Sequence, residues 1–100
     1  MSEPITVIVA KDLEDLIPTF MKNRTKELDT LRIALAGGDF EELRRLGHRM
    51  KGVGNSYGFE KVSELGRQIE DDAKTGDRSE LDAHIADYAD YLGRVKIDYE

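Results

Sequence analysis

The sequence predicts an all-α protein, an antiparallel up-down four-helix bundle with a short N-terminal arm or helix. Three observations predict it. Apolar residues recur at three- and four-residue steps in four successive segments. Clusters of Gly, Asn, Asp and Ser punctuate those segments. The links between them are short, which favours antiparallel neighbours. A chain of 100 residues supports one hydrophobic core, so a single domain spans 1–100.

The chain opens with a β-branched run, Ile5-Thr6-Val7-Ile8-Val9. With no strand partner evident downstream, it is expected to be an extended arm or turn packed on the bundle. From Lys11 to Ala36, Leu13, Leu16, Ile17, Phe20, Leu28, Leu31 and Leu35 follow helical spacing. Pro18 interrupts the pattern. Proline suits a first turn and disrupts an interior, so this segment is a short helix followed by a long one, or one kinked helix. Gly37-Gly38 stops it.

Asp39 is a plausible N-cap for the second helix, with Glu41 and Glu42 in the first turn where the helix dipole favours negative charge. That helix should run to about Gly54, with Asn55-Ser56-Tyr57-Gly58 as the turn. The third helix extends from about Phe59 to Lys74 on a stripe of Val62, Leu65, Ile69 and Ala73. Thr75-Gly76-Asp77 breaks it. The fourth starts near Ser79 as cap, turns Leu81, Ile85, Tyr88 and Leu92 inward, and ends around Val95.

Composition narrows the function. The net charge of −6 argues against nucleic acid as a partner, because phosphate backbones require a basic footprint. Cysteine is absent, which excludes disulfides and thiolate metal sites. The apolar stretch Ile5 to Ala10 is too short to span a membrane and lacks the features of a signal peptide. The expectation is a cytoplasmic protein with no membrane partner. The initial Met and the tidy fourth helix favour a whole gene product over a fragment.

The residue that stands out is His48. On the second helix, Phe40, Leu43, Leu46, Met50 and Val53 cluster on one side at about 100° per residue, which puts His48 roughly 160° from their mean direction. It should face solvent. Helical spacing surrounds it with Arg44, Lys51, Gly52 and Asn55 along one strip and Arg45 and Arg49 at its flanks. An acidic protein thus presents a local basic surface around an exposed imidazole. Gly52 costs about 1 kcal/mol relative to Ala inside a helix. Its missing side chain would let another molecule approach the imidazole closely.

The run His48-Arg49-Met50-Lys51-Gly52, followed by Gly54 and Gly58, resembles the signature of histidine-containing phosphotransfer domains. The motif lies within Leu43 to Lys74, and a leucine-patterned third helix with Leu65, Gly66, Ile69 and Glu70 extends the likeness over the chain. The resemblance implies a phosphocarrier, not an enzyme in its own right, whose His48 takes a phosphoryl group from one receiver aspartate and gives it to another. By position, Lys51 would neutralise phosphoryl charge and Gly52 would leave room for the receiver. Glu70 would accept a hydrogen bond from Nδ1 of His48, a place where several family members carry Gln. Lys74 matches a position that is sometimes basic, and Arg44 and Arg49 are placed for partner contacts. With Nδ1 so held, Nε2 would be the nucleophile.

The implied partners are response-regulator receiver domains and a hybrid histidine kinase, met by a monomer. No cofactor is implied on this chain; Mg²⁺ would belong to the receiver, since no acidic cluster appears on the His48 face. The alternative is a non-phosphorylated helical adaptor of the same fold, disfavoured by the intact His48, Lys51 and Gly52. A kinase dimerisation segment is disfavoured too, because Arg49 follows His48 where an acidic residue is usual, and no Pro follows nearby.

Other candidates are weaker. His84 reads as a surface or boundary residue, and two histidines without matching ligand spacing do not make a metal site. Asp71-Asp72 reads as a solvated run, and a calcium loop would need more widely spaced oxygens. Gly52 to Gly58 lacks the Gly-Lys-Ser/Thr ending of a phosphate loop. Tyr88, Tyr91 and Tyr99 read as core or boundary aromatics.

Overall fold

The computed structural model describes residues 3–100. Four helices form the body: α1 (Ile17–Ala36), α2 (Phe40–Ser56), α3 (Glu60–Thr75) and α4 (Arg78–Arg94). Each packs on the next, and α4 closes the ring against α1. The links are the two or three residues between successive helices, too short for anything but antiparallel neighbours. The core they share includes Phe20, Leu31, Leu43, Leu46, Met50, Leu65, Ile69, Leu81 and Tyr88.

Local chemistry sets the helix ends. A 3-10 turn (Lys11–Leu16) precedes α1, and Pro18 sits in the first turn of α1, where its missing N–H costs nothing. Proline therefore splits the segment and does not kink it. The split leaves Leu16 half exposed, at 50%, outside the apolar stripe expected to hold it. Asp39 caps α2 by accepting the Glu42 N–H at 3.1 Å. Gly76 ends α3 at φ 69°, a left-handed turn that L side chains avoid. Asp77 caps α4, accepting the Glu80 N–H at 3.1 Å. Ser79, the expected cap, lies inside the helix instead: the carboxylate two residues earlier reaches the orphan N–H first.

The N-terminal run is not a lone arm. Ile5–Val9 forms strand β1 and pairs in parallel with β2 (Val95–Tyr99), in register Ile5↔Val95 through Val9↔Tyr99. Parallel strands need a long crossover, and here the whole bundle supplies it. Both strands alternate, with Ile5, Val7 and Val9 and then Val95, Ile97 and Tyr99 turned toward the core. α4 accordingly stops at Arg94, and Val95 turns extended at ψ 133°.

Glycines govern how closely α2 and α3 approach. A Cβ on Gly47 would stand 2.7 Å from Glu70 N and Gly66 O. One on Gly66 would meet Lys51 N and Met50 Cβ at 2.6 Å, and one on Gly54 would meet Ser63 N at 2.6 Å. Backbone lies against backbone along this seam, and that closeness sets up the site described next.

Candidate functional site

His48 stands on the outer face of α2, its side chain 69% exposed, as the helical projection predicts. Its Nδ1 lies 3.0 Å from Oε2 of Glu70, which reaches across from α3. The other oxygen of Glu70 accepts from Lys51 Nζ at 2.9 Å. One carboxylate thus holds two side chains of the neighbouring helix. Its short side chain spans the seam only because Gly47 and Gly66 let the two backbones touch.

The state of Glu70 decides the tautomer of His48. Its carboxyl is held below the ordinary 4.5, first by the Lys51 hydrogen bond, against desolvation, and with help from the His48 hydrogen bond and the charges of Lys51 and Lys74. Glu70 has little accessible surface, 5% of its maximum. The side chains of His48 and Lys51 cover it near the molecular surface, so attraction outweighs desolvation. An ionised carboxylate only accepts hydrogen bonds. Nδ1 must then carry the imidazole proton, which leaves the Nε2 lone pair free on an exposed ring.

The remaining predicted residues fall into place unevenly. Gly52 is exposed, with nothing within 4 Å of where a Cβ would stand. Arg44, Arg49 and Asn55 are exposed beside His48 on the same helix. Arg44 makes no hydrogen bond or ion pair among the described residues. Asn55 is engaged through its backbone, whose N–H donates to Ser63 Oγ at 2.8 Å. Lys74 is exposed on α3 one turn past Glu70 and contributes to it through charge alone.

Sequence reasoning missed a buried polar group behind this face. Glu27 of α1 is 3% exposed and accepts from Tyr88 Oη at 2.9 Å. Arg49 Nη2 approaches its other oxygen at 3.5 Å. Arg24 Nε lies 3.1 Å from Glu27 Oε1. Its N–H is not aimed along that line, so Nε and Nη1 lack a hydrogen-bond acceptor among the described residues. The attraction is coulombic, supplemented by the Phe20 ring 4.7 Å from Cζ. A Glu one turn before Leu31 and in line with Arg24 gives no sequence signal, since charged pairs three apart are common on solvated faces.

The Asp71-Asp72 reading needs correction. Asp71 is exposed, but Asp72 is only 14% exposed in its side chain and pairs with His84 Nδ1 at 2.5 Å. The packing of α3 on α4 brings them together, and that pairing lies beyond local spacing. Tyr88 and Tyr91 are buried, as core aromatics should be.

The geometry amounts to an exposed, tautomer-fixed imidazole beside an ammonium group, on a helical bundle. In comparison with known proteins, the family model for the Hpt domain matches residues 13–97. No curated protein and no solved structure matches the chain.

Proposed function

The chain belongs to the Hpt domain family, whose role is phosphotransfer in phosphorelays, and on that premise we propose that His48 carries the phosphoryl group between receiver aspartates. The observation that carries this reading is the 3.0 Å contact of Nδ1 with the buried Glu70 carboxylate on a ring otherwise open to solvent.

The step follows from that contact. The Nε2 lone pair attacks phosphorus of an aspartyl phosphate, the P–O bond to the aspartate breaks, and the aspartate leaves as a carboxylate. Positive charge grows on the imidazole as the N–P bond forms, and Glu70 faces that charge through Nδ1–H. Phosphoryl transfer demands positioning and charge neutralisation more than covalent help from the protein. Lys51 supplies one positive charge; any Mg²⁺ would be held by the receiver. Donation to the next receiver reverses the same bonds. The domain is therefore a carrier and not a catalyst in its own right, acting as a cytoplasmic monomer toward receivers and a hybrid kinase.

Arg44, Arg49 and Asn55 form the surface that a receiver would cover, with Lys74 at its edge. A steering patch of this kind raises encounter rate more than affinity, which suits a shuttle. The deciding experiment incubates the chain with a phosphorylated receiver and follows the label. Wild type should take up acid-labile phosphate, and His48→Gln should take up none while keeping its helical spectrum. Label on the variant, or none on wild type with any receiver, would favour the adaptor reading.

A further inference from the structure

We propose that Asp72, Glu80 and His84 form a binding site for one divalent transition metal such as Zn²⁺ that clips α3 to α4. The three donors come from two helices and lie within 4.8 Å of one another. Glu80 and His84 are four residues apart on α4 and share a face. Asp72 faces them from the last turn of α3, just before the Gly76-Asp77 link.

Two features distinguish this group from a chance surface cluster. First, both imidazole nitrogens face carboxylates: Nδ1 is 2.5 Å from Asp72 Oδ2 and Nε2 is 3.9 Å from Glu80 Oε2. A neutral imidazole has only one N–H. Whichever nitrogen carries it, the other turns a lone pair toward an anion, an arrangement that either a second ring proton or a metal cation relieves. Second, Asp72 and His84 are held in place, at 14% and 18% side-chain exposure, whereas Glu80 is 56% exposed and free to swing. Glu80 stands where a capping-box carboxylate would bond back to the cap residue's N–H. That N–H of Asp77 is already taken by the Asp72 carbonyl at 3.0 Å, so Glu80 is left available to His84.

The donor set selects the metal. One imidazole nitrogen with two carboxylate oxygens suits Zn²⁺ and its neighbours, while Mg²⁺ and Ca²⁺ prefer oxygen alone. Tetrahedral Zn²⁺ sets its ligand atoms about 3.3 Å apart, given bonds near 2.0–2.2 Å. A swing of Glu80 and a slight opening of the Asp72–His84 pair would reach that. The cation takes the Nδ1 lone pair beside Asp72, and the imidazole's single proton then sits on Nε2. Three protein donors leave one position for water. Asp72 points roughly 200° around α3 from Glu70, so this site lies on the far side of that helix from His48.

The test is titration of the full chain with Zn²⁺ alone, in competition with a chromophoric chelator. One equivalent should bind in the micromolar range, raise the melting temperature, and be indifferent to excess Mg²⁺. Glu80→Gln, at an exposed position that leaves folding intact, should weaken binding by about tenfold or more. His84→Ala should remove it, and His48→Ala should retain it. The proposal is overturned if wild type binds no tighter than about 100 μM, if Glu80→Gln binds as wild type does, or if the bound equivalent follows His48 instead of His84.

Discussion

Glu70 and His48 meet across the α2–α3 seam at 3.0 Å, and the same carboxylate takes Lys51 at 2.9 Å. This makes Glu70 a positioning residue: it selects the tautomer of His48 and holds the ammonium that would face a phosphoryl group. Glu70→Ala should slow phosphotransfer by about 10–100-fold, by analogy with the loss when the hydrogen-bond partner of a metal-bound histidine is removed, without abolishing it. Glu70→Gln keeps an acceptor oxygen for Nδ1–H and should recover most of the rate. Single-turnover transfer from a phosphorylated receiver separates the two variants; an unchanged rate in Glu70→Ala would rule out the orienting role.

The same carboxylate makes a pH prediction. Its folded-state value lies below 4.5, with the Lys51 hydrogen bond as first cause. A carboxyl depressed on folding binds protons more readily when unfolded. Its stabilisation is present in full above the unfolded value and is lost as pH falls from about 4.5 through the folded value. Urea midpoints followed from pH 6 downward should fall more steeply for wild type than for Glu70→Gln. Parallel curves would show that the Lys51 pairing contributes nothing to stability.

Two glycines of the motif region should respond in opposite ways. Gly66→Ala places a Cβ at 2.6 Å from Lys51 N and Met50 Cβ, with backbone on one side and core on the other. The helices must separate, at a cost of about 1–3 kcal/mol, and the Glu70 contacts with His48 and Lys51 should loosen with them. Gly52→Ala meets nothing within 4 Å. It should stabilise α2 by up to about 1 kcal/mol through helix propensity, yet weaken receiver binding by filling the open patch beside His48. Denaturation and receiver titration on both variants check this crossing of effects. A Gly52→Ala chain that bound its receiver like wild type would assign no steric role to that gap.

The exposure of His48 was legible because it needs only one helix and a count of 100° per residue. The four apolar stripes and their breakers were legible for the same reason. What escaped was non-local. Val95-Lys96-Ile97-Asp98-Tyr99 alternates as a strand does, but its partner is Ile5–Val9 at the opposite end of the chain. Nothing in either segment announces the other. Asp72 with His84, and Glu27 with Tyr88, likewise meet only once helices pack. Gly47, Gly54 and Gly66 were visible, and small residues seven apart on α2 could have been read as a seam. Their meaning depends on which face α3 presents.

The Glu27 group behind the His48 face supports a last prediction. Tyr88 is fully buried, and its hydroxyl is held far above its ordinary value, by burial first and then by the Glu27 charge, so it stays a hydrogen-bond donor. Tyr88→Phe removes one bond to a charged acceptor and should cost about 1.5–3 kcal/mol. Glu27→Ala strips Arg24 of the only anion it pairs with among the described residues, in a buried setting, and should cost more, about 3–5 kcal/mol. Because Arg49 also reaches Glu27, at 3.5 Å, Glu27→Ala should free that guanidinium and alter receiver affinity, whereas Tyr88→Phe should leave affinity alone. Urea denaturation gives the stability order, and titration with an unphosphorylated receiver gives the affinity. Equal affinity in the two variants would mean that Arg49 is positioned by α2 alone.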